Sequence, residues 1–296
     1  MTAQGLDSQT ITFTDTQAVY GSEQALPLLV VKHPLCEAVL SLYGGQLLEF
    51  KACDEQPLLW LSPLTPYREG ASIRGGIPVC FPWFGVADDQ ALPRHGFVRN
   101  RLWSIREMSE DEQGVNLSLH YVSSNDDLAL YPYEFEIVLD FSLSQHLSID
   151  LTVQNLSDKT MPVTWALHTY LAVNELKDAR VEGLDGKTFL DNTQDLSRHI
   201  QNGPLSFDRE VDRVYTGLSS APVLKDIDNG RALTATAQNA PSAIIWNPGA
   251  ALADSMPDVG AGFNGFVCIE RGAAFDDRLA LASGDSLKAT IGFETV

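Results

Sequence analysis

The sequence is short of basic residues. Its 296 residues include 20 lysines and arginines against 39 aspartates and glutamates, which gives a formal net charge of −19 at pH 7. A nucleic-acid partner needs a basic surface that contacts the phosphate backbone, so this charge balance argues against that class of partner. A small anionic ligand is not excluded, because a few arginines can set the local charge inside a cleft.

Cysteine motifs and long apolar runs are also missing. The four cysteines, Cys36, Cys53, Cys80 and Cys268, show no C-x-x-C spacing, which argues against a zinc ribbon or a thioredoxin motif and favours reduced, mostly buried thiols. No apolar run approaches the roughly 18 residues of a membrane span. The first 20 residues lack the basic and apolar regions of a signal peptide. We therefore expect a cytoplasmic protein without a membrane partner.

Helical periodicity and nucleotide-binding loops are scarce as well. The sequence contains no G-x-G-x-x-G or Walker-type loop, so no nucleotide site is indicated. Helical spacing is confined to two short segments, near 126–131 and 250–256. No repeat or Pro/Gly/Ser-rich linker divides the chain, so we expect one domain over residues 1–296.

Alternation of apolar and polar residues is the dominant pattern, and it is typical of strands with one buried face. The turn-like residues 144–146 separate two alternating segments and predict a hairpin. The sequence therefore predicts an all-β fold, a large antiparallel β-sandwich with few short helices. Strands are expected at 28–31, 38–42, 115–121, 135–143, 147–153, 243–246 and 287–293.

Two segments rich in glycine, proline, arginine and aromatic residues interrupt this pattern, at 73–85 and 92–100. Loops of this composition on a rigid sheet often carry binding residues. The alternative is that they only cap one end of the sandwich.

Three residues are candidates for acid–base chemistry. His95 lies in the second loop, and His168 follows a short apolar strand. Each also fits the role of a satisfied structural histidine. Glu270 closes an apolar run, either at a strand end in solvent or in a pocket where burial would raise its pKa. A salt bridge to Arg271 is the alternative for Glu270.

Seven sequence blocks occur in one order along the chain, and together they resemble a known family. The blocks are R-G-G-I-P from Arg74, F-P-W-F-G, H-G-F-x-R-N from His95, A-L-H-T-Y around His168, V-D-R-V-Y around Asp212, W-N-P, and V-C-I-E ending at Glu270. This order resembles the aldose 1-epimerase (mutarotase) superfamily, and within it the glucose-6-phosphate 1-epimerase branch. The resemblance spans roughly residues 25 to 293.

The resemblance implies a β-supersandwich with a sugar cleft across one face. It implies that His168 is the general acid, that Glu270 is the general base, and that Asp212 hydrogen-bonds sugar hydroxyls. Interconversion of anomers protonates the ring oxygen and deprotonates the anomeric hydroxyl, so that the ring opens and closes again. Because nothing is oxidised, no cofactor or metal is required.

The resemblance also implies a phosphate end of the cleft. Arg74 and Arg99 match arginines expected to bind the 6-phosphate, and His95 matches a histidine that lines the cleft. Arg suits this task because its planar fork binds two oxygens at once. Arg94 departs from the family, which often carries an amide there, so the exact sugar phosphate stays open. We expect a small-molecule sugar phosphate as the partner and a monomeric protein.

Other interpretations of the same residues are possible. His95, His168 and Glu270 could hold a metal ion as a His₂Glu site. A mutarotase acting on unphosphorylated aldoses and a non-catalytic sugar-binding module are further alternatives. Trp83 and Phe84 could stack on a sugar or simply pack in the core.

Overall fold

The computed structural model describes residues 10–87 and 89–295, and these residues are mostly antiparallel β-structure. They form 22 strands, numbered in chain order: β1 Ile11–Asp15, β2 Pro27–His33, β3 Cys36–Ser41, β4 Gln46–Ala52, β5 Val79–Cys80, β6 Ser104–Asp111, β7 Gly114–Val122, β8 Phe135–Leu143, β9 Leu147–Asn155, β10 Met161–Val163, β11 Trp165–Leu167, β12 Tyr170–Ala172, β13 Ala179–Glu182, β14 Thr188–Asp191, β15 Ser197–Ile200, β16 Val211–Tyr215, β17 Val223–Asp226, β18 Arg231–Gln238, β19 Ser242–Asn247, β20 Phe266–Ala273, β21 Leu279–Leu281 and β22 Ser286–Thr295.

Helices are few and short, as the sequence predicts. The α-helices of the described residues are α1 Thr16–Tyr20 and α2 Gly249–Ala253, and 3-10 turns lie at Val98–Asn100, Asp127–Ala129, Leu176–Asp178, Asn192–Gln194, Gly260–Gly265 and Phe275–Asp277. The predicted helical segments at 126–131 and 250–256 correspond to a single 3-10 turn and to α2. None of the helices in the described residues has the length and hydropathy that a membrane span requires.

Two eight-stranded sheets form the sandwich. The first, called the back sheet, has the order β13-β17-β18-β22-β9-β8-β7-β6. The predicted strands at 115–121, 135–143, 147–153 and 287–293 all lie in it, and residues 144–146 connect β8 and β9. Alternate side chains such as Leu139, Leu151 and Ile291 enter the core between the sheets, which explains the period of two in the sequence.

The second eight-stranded sheet, called the site sheet, has the order β15-β14-β16-β19-β20-β11-β5, with β12 also paired to β20. One of its faces packs on the back sheet through residues such as Ile245 and Ile269. Its other face carries a separate set of buried residues, including Cys80, Ile244 and Cys268. Both faces are therefore covered, and β20 is buried at every position.

Two smaller sheets flank the sandwich. Strands β1 to β4 form a four-stranded sheet in chain order, and β10 pairs with β21. The predicted strands at 28–31 and 38–42 lie in the four-stranded sheet, within β2 and largely within β3. The four cysteines are free thiols, and Cys53 is the exposed one. The single domain expected over residues 1–296 stays a prediction.

The two glycine- and proline-rich segments lie against the site sheet. Backbone amides of His168 and Tyr170 donate to the carbonyls of Pro78 and Gly76 at 2.9 Å each. The second segment is bound to the first, since the amide of Phe97 donates to the carbonyl of Phe81 at 3.1 Å. These loops are therefore built into the sheet rather than capping a remote end of the sandwich.

Candidate active site

The strand register brings His168 and Glu270 together. Leu167 pairs with Arg271, and Tyr170 pairs with Cys268. His168 follows Leu167 and Glu270 precedes Arg271, so His168 lies opposite Glu270 in this antiparallel register. Residues opposite each other on antiparallel strands share a face, so the two side chains meet above the site sheet.

The contact between this histidine and glutamate is short and buried. Nε2 of His168 lies 3.3 Å from Oε1 of Glu270, and the exposed fractions of the two side chains are 9% and 1%. Of the two alternatives for Glu270, the strand end in solvent is wrong, because β20 continues to Ala273 and Glu270 is buried. Arg271 points to the opposite face and donates to the carbonyl of Ala240 at 2.8 Å. Successive side chains of a strand lie on opposite faces of the sheet, so the alternative of a Glu270–Arg271 salt bridge is wrong.

Burial sets the protonation of this pair. Burial, together with the nearby Asp212 charge, raises the pKa of Glu270 well above its usual value, and Arg99 opposes this effect only in part. Burial and the charges of Arg74 and Arg99 hold the pKa of His168 well below its usual value. These directions favour one shared proton, on the carboxyl group, beside a neutral imidazole.

Aromatic rings hold the imidazole of His168 in place. The Tyr170 ring stacks on it at a centroid distance of 4.8 Å, and Trp246 meets it edge-on at 5.7 Å. His95 lies on another side, with ring centroids 5.8 Å apart. The strand register explains the first two contacts, because Tyr170 and Trp246 both pair with Cys268 on neighbouring strands.

Arg74 reaches the site but already has partners. Its Nε donates to Oδ2 of Asp258 at 2.9 Å, and an Nη donates to the hydroxyl of Tyr170 at 2.9 Å. These partners, Tyr170 first, raise the pKa of Arg74. The guanidinium remains partly exposed, so it can still donate to a ligand, although Asp258 offsets much of its charge.

Arg99 is less satisfied than Arg74. One Nη donates to the carbonyl of Arg94 at 2.7 Å, while its buried Nε has no hydrogen-bond partner among the described residues. Burial lowers the pKa of Arg99. The side chain of Arg94 itself is exposed. A bound anion would supply the missing acceptor for Arg99, since buried donors are rarely left unpaired.

His95 lies where the three arginine charges act together. Burial, then Arg99, His168, Arg94 and Arg74, lower its pKa well below the usual value. Its Nδ1 accepts a hydrogen bond from the amide of Gly85 at 3.3 Å. A protein with a large negative net charge thus carries a local positive region beside the His168–Glu270 pair.

Asp212 lies on the same face of the site sheet as the pair. It pairs in register with Trp246, which in turn pairs with Cys268. Oδ2 of Asp212 accepts from Nδ2 of Asn192 at 2.6 Å, and burial raises the pKa of Asp212. Its carboxylate can therefore accept hydrogen bonds from a ligand that lies beside Glu270.

Trp83 and Phe84 have different environments. Trp83 packs against Phe97 and donates its Nε1 to the carbonyl of Pro93 at 2.9 Å, which is a structural role. Phe84 meets His95 edge-on with a centroid distance of 4.8 Å. Only Phe84 therefore lies at the site and could cover one side of a sugar.

The metal-site interpretation with His95, His168 and Glu270 does not match the geometry. In residues 10–87 and 89–295, the group whose ligand atoms all lie within 4.8 Å of one another is His168, Cys268 and Glu270. Sequence reasoning missed Cys268. The signal was available, because Cys268 lies two residues before Glu270 on a strand and so shares its face.

Tyr170 and Asp258 were also missed as functional candidates. Tyr170 lies within the block around His168, so proximity in the chain could have indicated it. Asp258 lies 184 residues from Arg74, and no pattern in the sequence connects the two.

Comparisons with known proteins agree with this architecture. The chain matches the aldose 1-epimerase family over residues 27–294. Several relatives carry the name "Putative glucose-6-phosphate 1-epimerase". The Escherichia coli K12 protein is 37% identical over 247 residues, which cover 83% of this chain and 82% of the relative. The Cenchrus ciliaris protein is 33% identical over 273 residues, covering 88% and 82%.

Solved structures share the fold. A crystal structure of a mutarotase from Salmonella typhimurium, itself named "putative", superposes with a TM-score of 0.87 at 31% identity and covers 98% of this chain and 96% of that one. A galactose mutarotase-like protein from Clostridium acetobutylicum gives a TM-score of 0.74 at 14% identity, with coverages of 98% and 99%, and supports the fold alone. The β-sandwich, the family match and the relatives' identity agree: this chain belongs to the aldose 1-epimerase family and is an epimerase of the mutarotase type.

Proposed function

We propose that this epimerase interconverts the α and β anomers of hexose 6-phosphates, with His168 and Glu270 as its acid–base pair. The observation that carries the proposal is the 3.3 Å separation of His168 Nε2 and Glu270 Oε1. The two side chains lie on the face of the site sheet that points away from the back sheet. The ring oxygen and the anomeric oxygen of an aldose are bonded to one carbon. Two proton-transfer groups that serve them must therefore lie side by side, as this pair does.

The spacing also separates this chemistry from glycoside hydrolysis. Glycosidases use two carboxyl groups held about 5 Å or more apart, which leaves room for a nucleophilic or water-assisted attack on the sugar. A histidine and a glutamate in direct contact do not provide that room. They suit a reaction in which one proton leaves O1 while another arrives at O5.

The reaction conserves protons at the pair. Glu270 takes the proton of the anomeric hydroxyl as His168 gives a proton to O5, and the C1–O5 bond breaks to form the open aldehyde. Rotation about C1–C2 exposes the other face of the carbonyl, and ring closure reverses both transfers. Such paired groups contribute about 10²- to 10⁴-fold each, and holding the ring between them adds an orientation term.

A bound phosphate would favour the charge state that the reaction needs, with His168 protonated and Glu270 deprotonated. Burial, and after it the charges of Arg74 and Arg99, lower the pKa of His168 and favour its neutral form. A phosphate dianion at these arginines would offset their field and raise the pKa of His168. Proton transfer from Glu270 to His168 would then need only the 3.3 Å contact already present. The phosphorylated substrate would thus offset the arginine charges that help to keep His168 neutral.

Three features support an anionic sugar. Arg99 has an unpaired buried Nε, the three arginines act together at His95, and relatives at 33–37% identity are named for glucose 6-phosphate. Asp212 would orient the ring by accepting hydrogen bonds from sugar hydroxyls, with Arg94 at the exposed rim.

A second candidate is epimerisation of unphosphorylated aldoses. It is favoured by the ion pair between Arg74 and Asp258 at 2.9 Å, which already neutralises one of the two proposed phosphate ligands. The ratio of kcat/KM for glucose 6-phosphate to that for glucose distinguishes the two substrates, and a ratio near one would support the unphosphorylated sugar.

The proposal is tested by the relaxation of pure α-glucose 6-phosphate to its anomeric equilibrium, followed by polarimetry or NMR. His168→Ala and Glu270→Gln should each slow the catalysed rate by about 10²-fold or more. The matched control is another His–Glu contact, His120 Nδ1 to Glu136 Oε1 at 2.9 Å on the back sheet. If His120→Ala and Glu136→Gln slow the reaction equally, the assignment of the pair is wrong.

A further inference from the structure

Cys268 lies beside the proposed acid–base pair but takes no part in the proton transfers. One ligand atom from each of His168, Cys268 and Glu270 lies within 4.8 Å of the other two, and all three residues are buried. We propose that these three side chains form a binding site for a thiophilic divalent cation such as Zn²⁺, and that the bound cation inhibits the epimerase. The inhibition rests on the proposed function of His168 and Glu270, whereas the binding does not.

The strand ladder fixes this trio. Cys268 and Glu270 are two residues apart on β20 and therefore project from the same face. His168 faces Glu270 across the ladder, between the register pairs Leu167–Arg271 and Tyr170–Cys268. Ligands held by neighbouring strands of a buried sheet are ordered before the cation arrives, which favours binding.

The ligand types match a zinc-like ion. Thiolate, imidazole and carboxylate bind Zn²⁺ at about 2.0–2.3 Å, often as three protein ligands with a fourth, open position. Ligand atoms within 4.8 Å of one another must move closer together to reach these bond lengths around a central ion. The sulfur ligand selects against Mg²⁺ and Ca²⁺, which prefer oxygen.

Unpaired polar atoms provide a second, independent observation. Nδ1 of His168 and Oε2 of Glu270 are buried and have no hydrogen-bond partner among the described residues. Buried polar atoms of this kind normally find a partner. In this pocket, a sugar hydroxyl or a metal ion can provide one.

Charge explains why a thiolate is needed. Arg74 and Arg99 place positive charge near the site, which disfavours a cation held by neutral ligands alone. Binding releases the thiol proton of Cys268 and the carboxyl proton of Glu270 to water, while neutral His168 donates a lone pair. The ligand set then carries two negative charges, which offset the cation.

The bound cation acts as an inhibitor rather than a cofactor. It binds the imidazole of His168 and the carboxylate of Glu270, the two groups that the epimerase reaction needs for proton transfer. Chelation should therefore preserve or raise the activity of the purified protein. Loss of activity on chelation would overturn the inhibitory role.

Binding is tested with Co²⁺ alone on the full-length, chelator-treated protein. We expect one equivalent to give a thiolate-to-cobalt charge-transfer band in the near ultraviolet. Cys268→Ser and Cys268→Ala should both lose the band. Cys53→Ser should keep it, because Cys53 is the exposed thiol and the rival sulfur ligand. Absence of the band in the wild type, or its loss only in Cys53→Ser, would overturn the site.

Inhibition is tested with Zn²⁺ in the anomerisation assay. Cys268→Ser should raise the inhibitory Zn²⁺ concentration at least about tenfold. Even the loss of a residue that only orients a metal ligand lowers metal affinity by about 10- to 100-fold. An equal sensitivity in the wild type and in Cys268→Ser would refute the inhibitory role. If the wild type shows no epimerase activity, the proposed function fails while the Co²⁺ spectrum still decides whether the trio binds metal. Far-UV circular dichroism confirms that each variant is folded.

Discussion

Tyr170 and His168 lie face to face, with ring centroids 4.8 Å apart and planes inclined by 11°. The hydroxyl of Tyr170 accepts a hydrogen bond from Arg74 at 2.9 Å. The tyrosine thus connects the proposed anion end of the site with the proposed acid. The ring restrains the imidazole, while the hydroxyl restrains the arginine.

These two roles can be separated by substitution at Tyr170. Tyr170→Phe keeps the stacked ring, so kcat should stay near the wild-type value. Loss of the charge-assisted hydrogen bond should raise KM for glucose 6-phosphate by about tenfold. Tyr170→Ala removes the ring, and it should lower kcat and cost about 3–5 kcal/mol of unfolding free energy. Steady-state kinetics and urea unfolding measure both effects. An equal loss of kcat in the Phe variant would show that the hydroxyl, not the ring, orients His168.

The buried carboxyl of Glu270 should make stability depend on pH. Its pKa is raised in the fold by burial and by Asp212, so the folded state holds the proton more tightly than the unfolded state. This stabilisation is complete below the unfolded pKa of glutamate and is lost as pH rises through the folded pKa. The Glu270→Gln variant has no carboxyl group to ionise at this position. Its free energy of unfolding relative to that of the wild type should therefore increase with pH, by about 1.4 kcal/mol per unit of pKa shift. Urea unfolding at about pH 5 and about pH 9 measures the difference, with Glu136→Gln as control. A constant offset at both pH values would contradict the raised pKa.

The pair should give kcat/KM a bell-shaped dependence on pH. The active state holds one proton between His168 and Glu270, so activity falls when both are protonated or both are deprotonated. Since burial lowers the pKa of His168 and raises that of Glu270, the acid limb should lie below the ordinary histidine pKa. The alkaline limb should lie above the ordinary glutamate pKa. An acid limb at the ordinary histidine value would show that His168 titrates as an exposed group.

Arg99 should contribute more to recognition of an anion than Arg74. Arg99 has an unpaired buried Nε, whereas Arg74 already pairs with Asp258. Arg99→Ala should lower kcat/KM for glucose 6-phosphate relative to glucose by about 10- to 100-fold, which is the worth of a hydrogen bond to a charged group. Arg74→Ala should have the smaller effect on this ratio. Arg106→Ala on the back sheet is the control, and an unchanged ratio in both site variants would remove the phosphate assignment.

Gly96 should tolerate no side chain, because a Cβ there would lie 1.9 Å from the carbonyl oxygen of Phe81, at a φ of +70°. Gly96→Ala should therefore displace the loop that carries His95 and lower both stability and kcat/KM. Gly186→Ala is the matched control, since its φ is +72° with nothing within 4 Å. It should show only the cost of the left-handed backbone, about 1–2 kcal/mol. Thermal unfolding compares the two, and equal losses would show that the contact with Phe81 can be relieved.

The sequence by itself determined the fold class and predicted candidate residues for the site, although it missed Cys268, Tyr170 and Asp258. The period of two in β7, β8, β9 and β22 identifies strands with one buried face, because alternate side chains of a strand must point to opposite sides. The block order identified the family and named His168, Glu270, Asp212 and the arginines. Those residue assignments stay proposals until the kinetic measurements are made.

Only the tertiary structure decided which of these residues touch. The register of β11 and β12 against β20 sets His168 opposite Glu270 and brings Cys268 beside both, and register depends on packing across the whole sheet. The same folding brings Asp258 to Arg74 from 184 residues away. Distances, burial and the resulting pKa directions are properties of this packing, because they depend on neighbours that are remote in the chain.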